Sequence, residues 1–182
     1  MTPSRVAVAL AGSAAVINSQ GSATVGQHFM TGGVGVLWVP TARSVRITAV
    51  RGLGADGMRL HRLLMVERDD DNPRFQGPFV PGGLQAQVDH DAGRGQVELR
   101  PVLGSEVRCC GSSYQLYLDA VITGGAPGGS LLGVRLSYVT ETGRRGHADV
   151  VMPMTYCTRP LGEPSCRPAE DRATAALARA DR

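Results

Sequence analysis

Through residues 131–157 apolar and polar positions alternate with a period of two. Val134, Leu136 and Tyr138 alternate with Arg135, Ser137 and Val139, and Ala148, Val150, Met152, Met154 and Tyr156 alternate with mostly polar neighbours. Successive side chains of a strand point to opposite faces, so each run predicts a strand with one core-facing side. Between them lies Glu141-Thr142-Gly143-Arg144-Arg145-Gly146, short, polar and holding two glycines. That segment predicts a turn joining the runs into one antiparallel hairpin, closed by Cys157.

The same pattern recurs upstream. Residues 33–39 end at Pro40, which has no N–H for a sheet ladder, and after a turn the alternation resumes over 44–50. Gly52, Gly54, Asp56 and Gly57 then predict a loop. In residues 58–66, Met58 and Leu60 share one face while Leu63 and Met65 share the other. This slip of phase predicts a strand with a bulge, or one that passes between sheets. A helix competes there, because leucine and methionine favour it, but the strand is the preferred reading. Leu84, Ala86 and Val88, a turn over 89–95 and residues 96–100 predict a short hairpin. In residues 112–123, Tyr114, Leu116, Leu118, Ala120 and Ile122 share a face, and the glycine-rich 124–129 reads as a flexible link to the hairpin. Beyond Cys157 the alternation stops, and the alanine-rich 169–182 predicts a short helix of low amphipathicity or an irregular tail. Short strands with glycine and proline turns predict an all-β fold. The expected architecture is a single immunoglobulin-like β-sandwich of antiparallel strands over residues 24–157, with irregular N- and C-terminal tails. Trp38 precedes every cysteine, so the cysteine–tryptophan–cysteine order of antibody domains is absent.

Length and charge narrow the function classes. A chain of 182 residues suits one domain. Its 19 basic residues, all arginine, oppose 16 acidic ones, and they are scattered among only three Phe, four Tyr and one Trp. Neither the basic patch nor the stacking platform of a nucleic-acid binder is present. Arg5, an apolar run over 6–17 broken by Gly12 and Ser13, and small residues Gly21-Ser22-Ala23 form the pattern of a secretory signal peptide over residues 1–23. The expected location is secreted or extracytoplasmic, in the cell envelope. The other reading of the run is an ordinary first strand or a frayed terminal helix of a cytoplasmic protein. The run is too short to span a bilayer, so no transmembrane segment is expected in the mature chain.

Candidate chemistry is sparse. Cys109, Cys110, Cys157 and Cys166 make an even count, which in an exported chain favours disulfides. Neighbouring residues of a strand point to opposite faces, so Cys109 and Cys110 are each expected to reach a different partner among Cys157 and Cys166. Their spacing does not match a zinc knuckle. The loop over 67–83 combines Asp69, Asp70 and Asp71 with Arg74, Phe75 and Phe79, and is the expected binding surface. Its consecutive aspartates lack the alternating oxygen spacing of a calcium loop. His28, Met30, Met152 and Met154 offer an alternative, a soft copper site outside the cytoplasm, although inward methionines are ordinarily core filling. His90 between Asp89 and Asp91, or a cysteine with His147, could serve a hydrolase only if the fold set them beside an acid and a nucleophile. No nucleophile elbow, zinc-protease helix or phosphate loop occurs, and no cofactor is expected.

The succession of residues 34–39, a polar turn, 44–51, a glycine loop into 58–60, and 132–138 with Gly143 and Cys157 resembles small exported β-sandwich proteins of unknown function from high-GC Gram-positive bacteria. The resemblance implies fold and export and assigns no site residue. The chain is therefore expected to be a non-catalytic module, structural or binding an unidentified protein or cell-envelope partner. Intact mass of the secreted product is expected to show cleavage near Ala23 and no thiol open to alkylation without reductant. An unprocessed Met1 and four reactive thiols would be the opposite outcome.

Overall fold

The computed structural model describes residues 8–11, 17–20, 24–40, 42–67, 99–109, 112–159 and 163–180. Strands follow in the order β1 (Ala9–Ala11), β2 (Ile17–Gln20), β3 (His28–Trp38), β4 (Ser44–Leu53), β5 (Met58–Glu67), β6 (Arg100–Pro101), β7 (Glu106–Arg108), β8 (Tyr114–Ile122), β9 (Gly128–Thr140) and β10 (Arg145–Cys157). A helix, α1 (Arg167–Ala180), comes last. Sheet 1 runs β1-β3-β8-β5-β6 and sheet 2 runs β2-β10-β9-β4-β7. Among the described residues the named strands pair antiparallel throughout, except β2 with β10. The inward residues of the alternating runs meet between the sheets. Val134, Leu136, Val150, Met152, Met154 and Tyr156 of sheet 2 share one buried cluster with Met58, Leu63, Met65, Leu116, Leu118 and Ile122 of sheet 1. Each such side chain removed from water stabilises by roughly 1.5–3 kcal/mol. This is the expected immunoglobulin-like β-sandwich.

The β9–β10 hairpin is the longest ladder. Its turn uses Gly143 at φ 81°, and the Gly143 N–H donates to the Thr140 carbonyl at 2.9 Å. From Arg145↔Val139 to Val151↔Gly133 the register is regular, and it shifts before Met154↔Leu131. Pro153 falls inside the shift, where no ladder N–H is demanded. Arg135 and Asp149 face each other across the ladder and make two hydrogen bonds of 2.6 Å. Those bonds hold the Asp149 carboxyl below the usual aspartate range, against the opposing effect of desolvation. Glu141 in the turn accepts the N–H groups of Arg43 and Ser44, pinning the hairpin tip to the start of β4.

Four regions depart from expectation or extend it. Gly128 and Gly129 open β9 and do not belong to a loose link, since Gly129 lies against the Tyr156 ring. The C-terminal tail is a helix that docks on β9 and β10 through Ala169, Ala173 and Ala176. Their spacing puts three small side chains on one face and lets the helix approach the sheet closely. Arg172 anchors the same helix on the Ser130 hydroxyl at 3.3 Å and on Asp56 at 2.5 Å. The expected cross-pairing of cysteines does not form, because Cys157 is bonded to Cys166, Cα to Cα 5.8 Å. The turn from β10 into α1 brings these two together locally, which alternation along a strand could not reveal. Cys109 is disulfide-bonded as well, and Cys110 lies outside the described residues.

The N-terminal segment read as a leader supplies β1 on β3 and β2 on β10, with Val8 fully buried in the core. Cleavage after Ala23 would take an edge strand from each sheet and leave β3 and β10 as the new edges.

At Gly133 a methyl group would lie 2.2 Å from the Val150 carbonyl oxygen of the paired strand. Backbone cannot yield there as a side-chain tip could. Gly133→Ala is expected to cost about 1–3 kcal/mol in chemical denaturation, whereas Gly125→Ala, in open space, should be nearly silent.

Candidate functional site

Strand β8 is buried along its whole length, on both faces. Tyr114, Leu116, Leu118, Ala120 and Ile122 point to the core between the sheets, so Asp119 points to the other face of sheet 1. Its side chain has no exposed surface. A carboxylate removed from water requires compensation by hydrogen bonds or opposite charge. Both neighbouring strands supply it. His28 Nδ1 on β3 lies 2.9 Å from Asp119 Oδ1, and Arg62 Nε on β5 donates to Oδ2 at 3.3 Å.

The second contact depends on an irregularity. The register of β5 against β8 shifts between Leu60 and Arg62. Leu60 packs on the core and so does Leu63, which leaves His61 and Arg62 both exposed between them. The slip of phase over 58–65 thus forms as a bulge, as expected. It places the His61 ring edge-on to that of His28, centroids 4.7 Å apart. His28, His61 and Asp119 each offer a ligand atom, and these atoms lie within 4.8 Å of one another.

His61 and Arg62 also line a cleft of about 460 Å³ between β4 and β5. The cleft exists because the outer strands are short. β6 pairs with β5 only at Leu64 and Met65, and β7 pairs with β4 only at residues 44–46. Among the described residues no strand pairs with 49–53 of β4 or 58–62 of β5 on that side. Leu60, Leu63, Pro101 and Leu103 give the cleft an apolar lining, with Leu103 left 57% exposed. Arg51 and Arg59 also line it, both exposed.

Of the sequence candidates, His28 joins this site. Met152 and Met154 are core residues of sheet 2, each 1% exposed, whereas His28 belongs to sheet 1. The side chain of Met30 lies outside the described residues, as do Asp69, Asp70, Asp71, Arg74, Phe75, Phe79 and His90. His147 is exposed on β10, near Asp149. The residues that sequence reasoning missed are His61, Arg62, Asp119, Arg51 and Arg59. Two signals pointed to His61, Arg62 and Asp119, the phase slip at 60–63 and a single acid in a largely apolar strand, and none to Arg51 or Arg59.

No protein-family model matches the chain, and no curated protein matches it. Among solved structures it is similar to the CFA/I adhesin CfaE of enterotoxigenic E. coli, with 10% identity and a TM-score of 0.35, over 80% of this chain and 46% of that one. It is also similar to the collagen-binding subdomain of the Enterococcus faecalis surface protein ACE, with 8% identity and a TM-score of 0.32, over 85% of this chain and 99% of that one. The collagen-binding domain of Erysipelothrix rhusiopathiae RspB aligns at 9% identity and a TM-score of 0.27, over 72% of this chain and 49% of that one. The chain thus spans about half the length of the first and third of these. The chemistry of the site rests on this chain's own residues.

Because Asp119 is enclosed while Arg62 is half exposed, loss of the carboxylate should matter more than loss of the arginine tip. Asp119→Leu is expected to destabilise by about 1–3 kcal/mol, leaving His28 and Arg62 without their acceptor. Arg62→Gln, which retains a donor, should cost less in the same urea titration. Equal effects would contradict this account of the cluster.

Proposed function

We propose that the chain is a non-catalytic β-sandwich module that works outside the cytoplasm and binds a partner protein by taking one of its extended, acidic segments into the cleft as an added strand. The observation that carries this reading is a pair of sheet edges, 49–53 of β4 and 58–62 of β5, that line one cleft and have no partner strand on that side among the described residues. An open edge presents unused N–H and C=O groups that an incoming strand can satisfy, and alternate side chains of that strand would meet the apolar lining. Arg51 and Arg59 favour an acidic occupant. They also discourage pairing with a second copy of the same edge, which would bring like charges together. The disulfide between Cys157 and Cys166 supports an oxidising compartment.

The test uses a synthetic peptide alternating aspartate with valine, followed by fluorescence anisotropy, with a lysine–valine peptide as control. Only the acidic peptide should bind, more weakly as salt rises, and Arg51→Glu with Arg59→Glu should weaken it about tenfold or more. Amide exchange should slow within 49–53 or 58–62 on binding. Unchanged affinity in the charge-reversed variant, or protection confined to another edge, would sink the proposal.

A further inference from the structure

We infer that His28 and His61 form a binding site for a divalent late transition ion, with Asp119 as the carboxylate that orients His28. Asp119 Oδ1 lies 2.9 Å from His28 Nδ1. With the carboxylate as acceptor, Nδ1 carries the hydrogen, and the lone pair of the ring is left on Nε2. A carboxylate holding one ring nitrogen so that the other can bind a metal is the usual support of a ligating histidine. The enclosure of Asp119 gives that support rigidity.

His61 is the second ligand. It is exposed, and its one described interaction is the ring contact with His28. Sheet pairing explains why Arg62 reaches Asp119, but it gives no reason for a second imidazole beside the first. The bulge supplies that imidazole. A metal takes imidazole nitrogen at about 2.0–2.1 Å, so two ligating nitrogens must lie within about 4 Å of each other. Ligand atoms of His28, His61 and Asp119, one from each, lie within 4.8 Å of one another, and because His61 is exposed, rotation of its side chain is the adjustment the site requires.

The donor set selects the ion. Two imidazoles suit Cu²⁺, Ni²⁺ or Zn²⁺, with Cu²⁺ held hardest. Mg²⁺ and Ca²⁺ require oxygens, and the one carboxylate here is already engaged by His28 and Arg62. Arg62 and Asp119 balance each other in charge, so the affinity comes from the imidazoles, and the remaining coordination positions stay open. His61 borders the cleft, and an ion held there would stand at its mouth. The site keeps His28 from the histidine and methionine set suggested by the sequence and has His61 in place of Met152 and Met154.

The test is calorimetric titration of the untagged full chain with Cu²⁺, Zn²⁺ and Mg²⁺, with electron paramagnetic resonance of the copper complex. One equivalent of Cu²⁺ is expected, with nitrogen couplings from two imidazoles and no heat from Mg²⁺. His61→Ala, at an exposed position, should weaken binding about tenfold or more, and Asp119→Asn should do so by a similar factor if it folds. Met152→Leu with Met154→Leu should leave the affinity unchanged. The inference fails if His61→Ala and His28→Ala bind copper as tightly as the parent, since the ion would then sit at His90, His147 or elsewhere. It fails equally if Mg²⁺ competes, or if no copper binds.

Discussion

A carboxylate with no exposed surface sits at the centre of a strand that is buried along its whole length, and much of sheet 1 is arranged around that fact. A carboxyl removed from water needs hydrogen-bond partners, and the described ones, His28 and Arg62, come from the flanking strands. Its two neighbours must therefore each bring a polar side chain to the same point. On β3 the regular alternation suffices, because His28 precedes the core residue Phe29 and so points outward. On β5 it does not. With Leu60 and Leu63 both committed to the core, an extra residue is needed, and the bulge provides it. The irregularity of β5 thus follows from burying a charge.

That local solution has effects at longer range. A bulge bends and twists a strand, and β5 borders the cleft. Among the described residues β6 and β7 pair with only part of the margins of β5 and β4. Natural sheets seldom leave an edge bare and apolar, because such an edge recruits other chains. Here Arg51 and Arg59 line the cleft, and pairing two copies of this edge would bring like charges together.

The sequence made the sandwich legible and the site only partly so. Alternation over 134–138, 148–156 and 114–122 identified the hairpin, β8 and their inward faces, because the period of two assigns successive side chains to opposite faces. The phase slip at 60–63 announced the bulge. What the slip could not tell was which strand would lie alongside, so His61, Arg62 and Asp119 stayed apart in the reading. They are separated by 57 residues or more between strands and meet only through sheet order. For Met152 and Met154 the inward phase of the strand already favoured core filling over copper ligation, and the core is where they lie. The alanines of α1 carried too weak an apolar signal to show that one face is buried, and the pairing of Cys157 with Cys166 depended on a turn that alternation does not encode.

The bond between Cys157 and Cys166 also sets how the molecule would carry a mechanical load. A pull applied beyond α1 meets the helix first, which lies on the sheet by small alanine side chains and the contacts of Arg172. Once the helix is stripped away, tension cannot draw out residues 158–165 in turn, because the covalent link passes it straight to the end of β10. From there it enters the thirteen-residue strand that shares the longest hydrogen-bonded ladder of the fold. The segment closed by the disulfide is bypassed, and the force is delivered where many bonds must yield together.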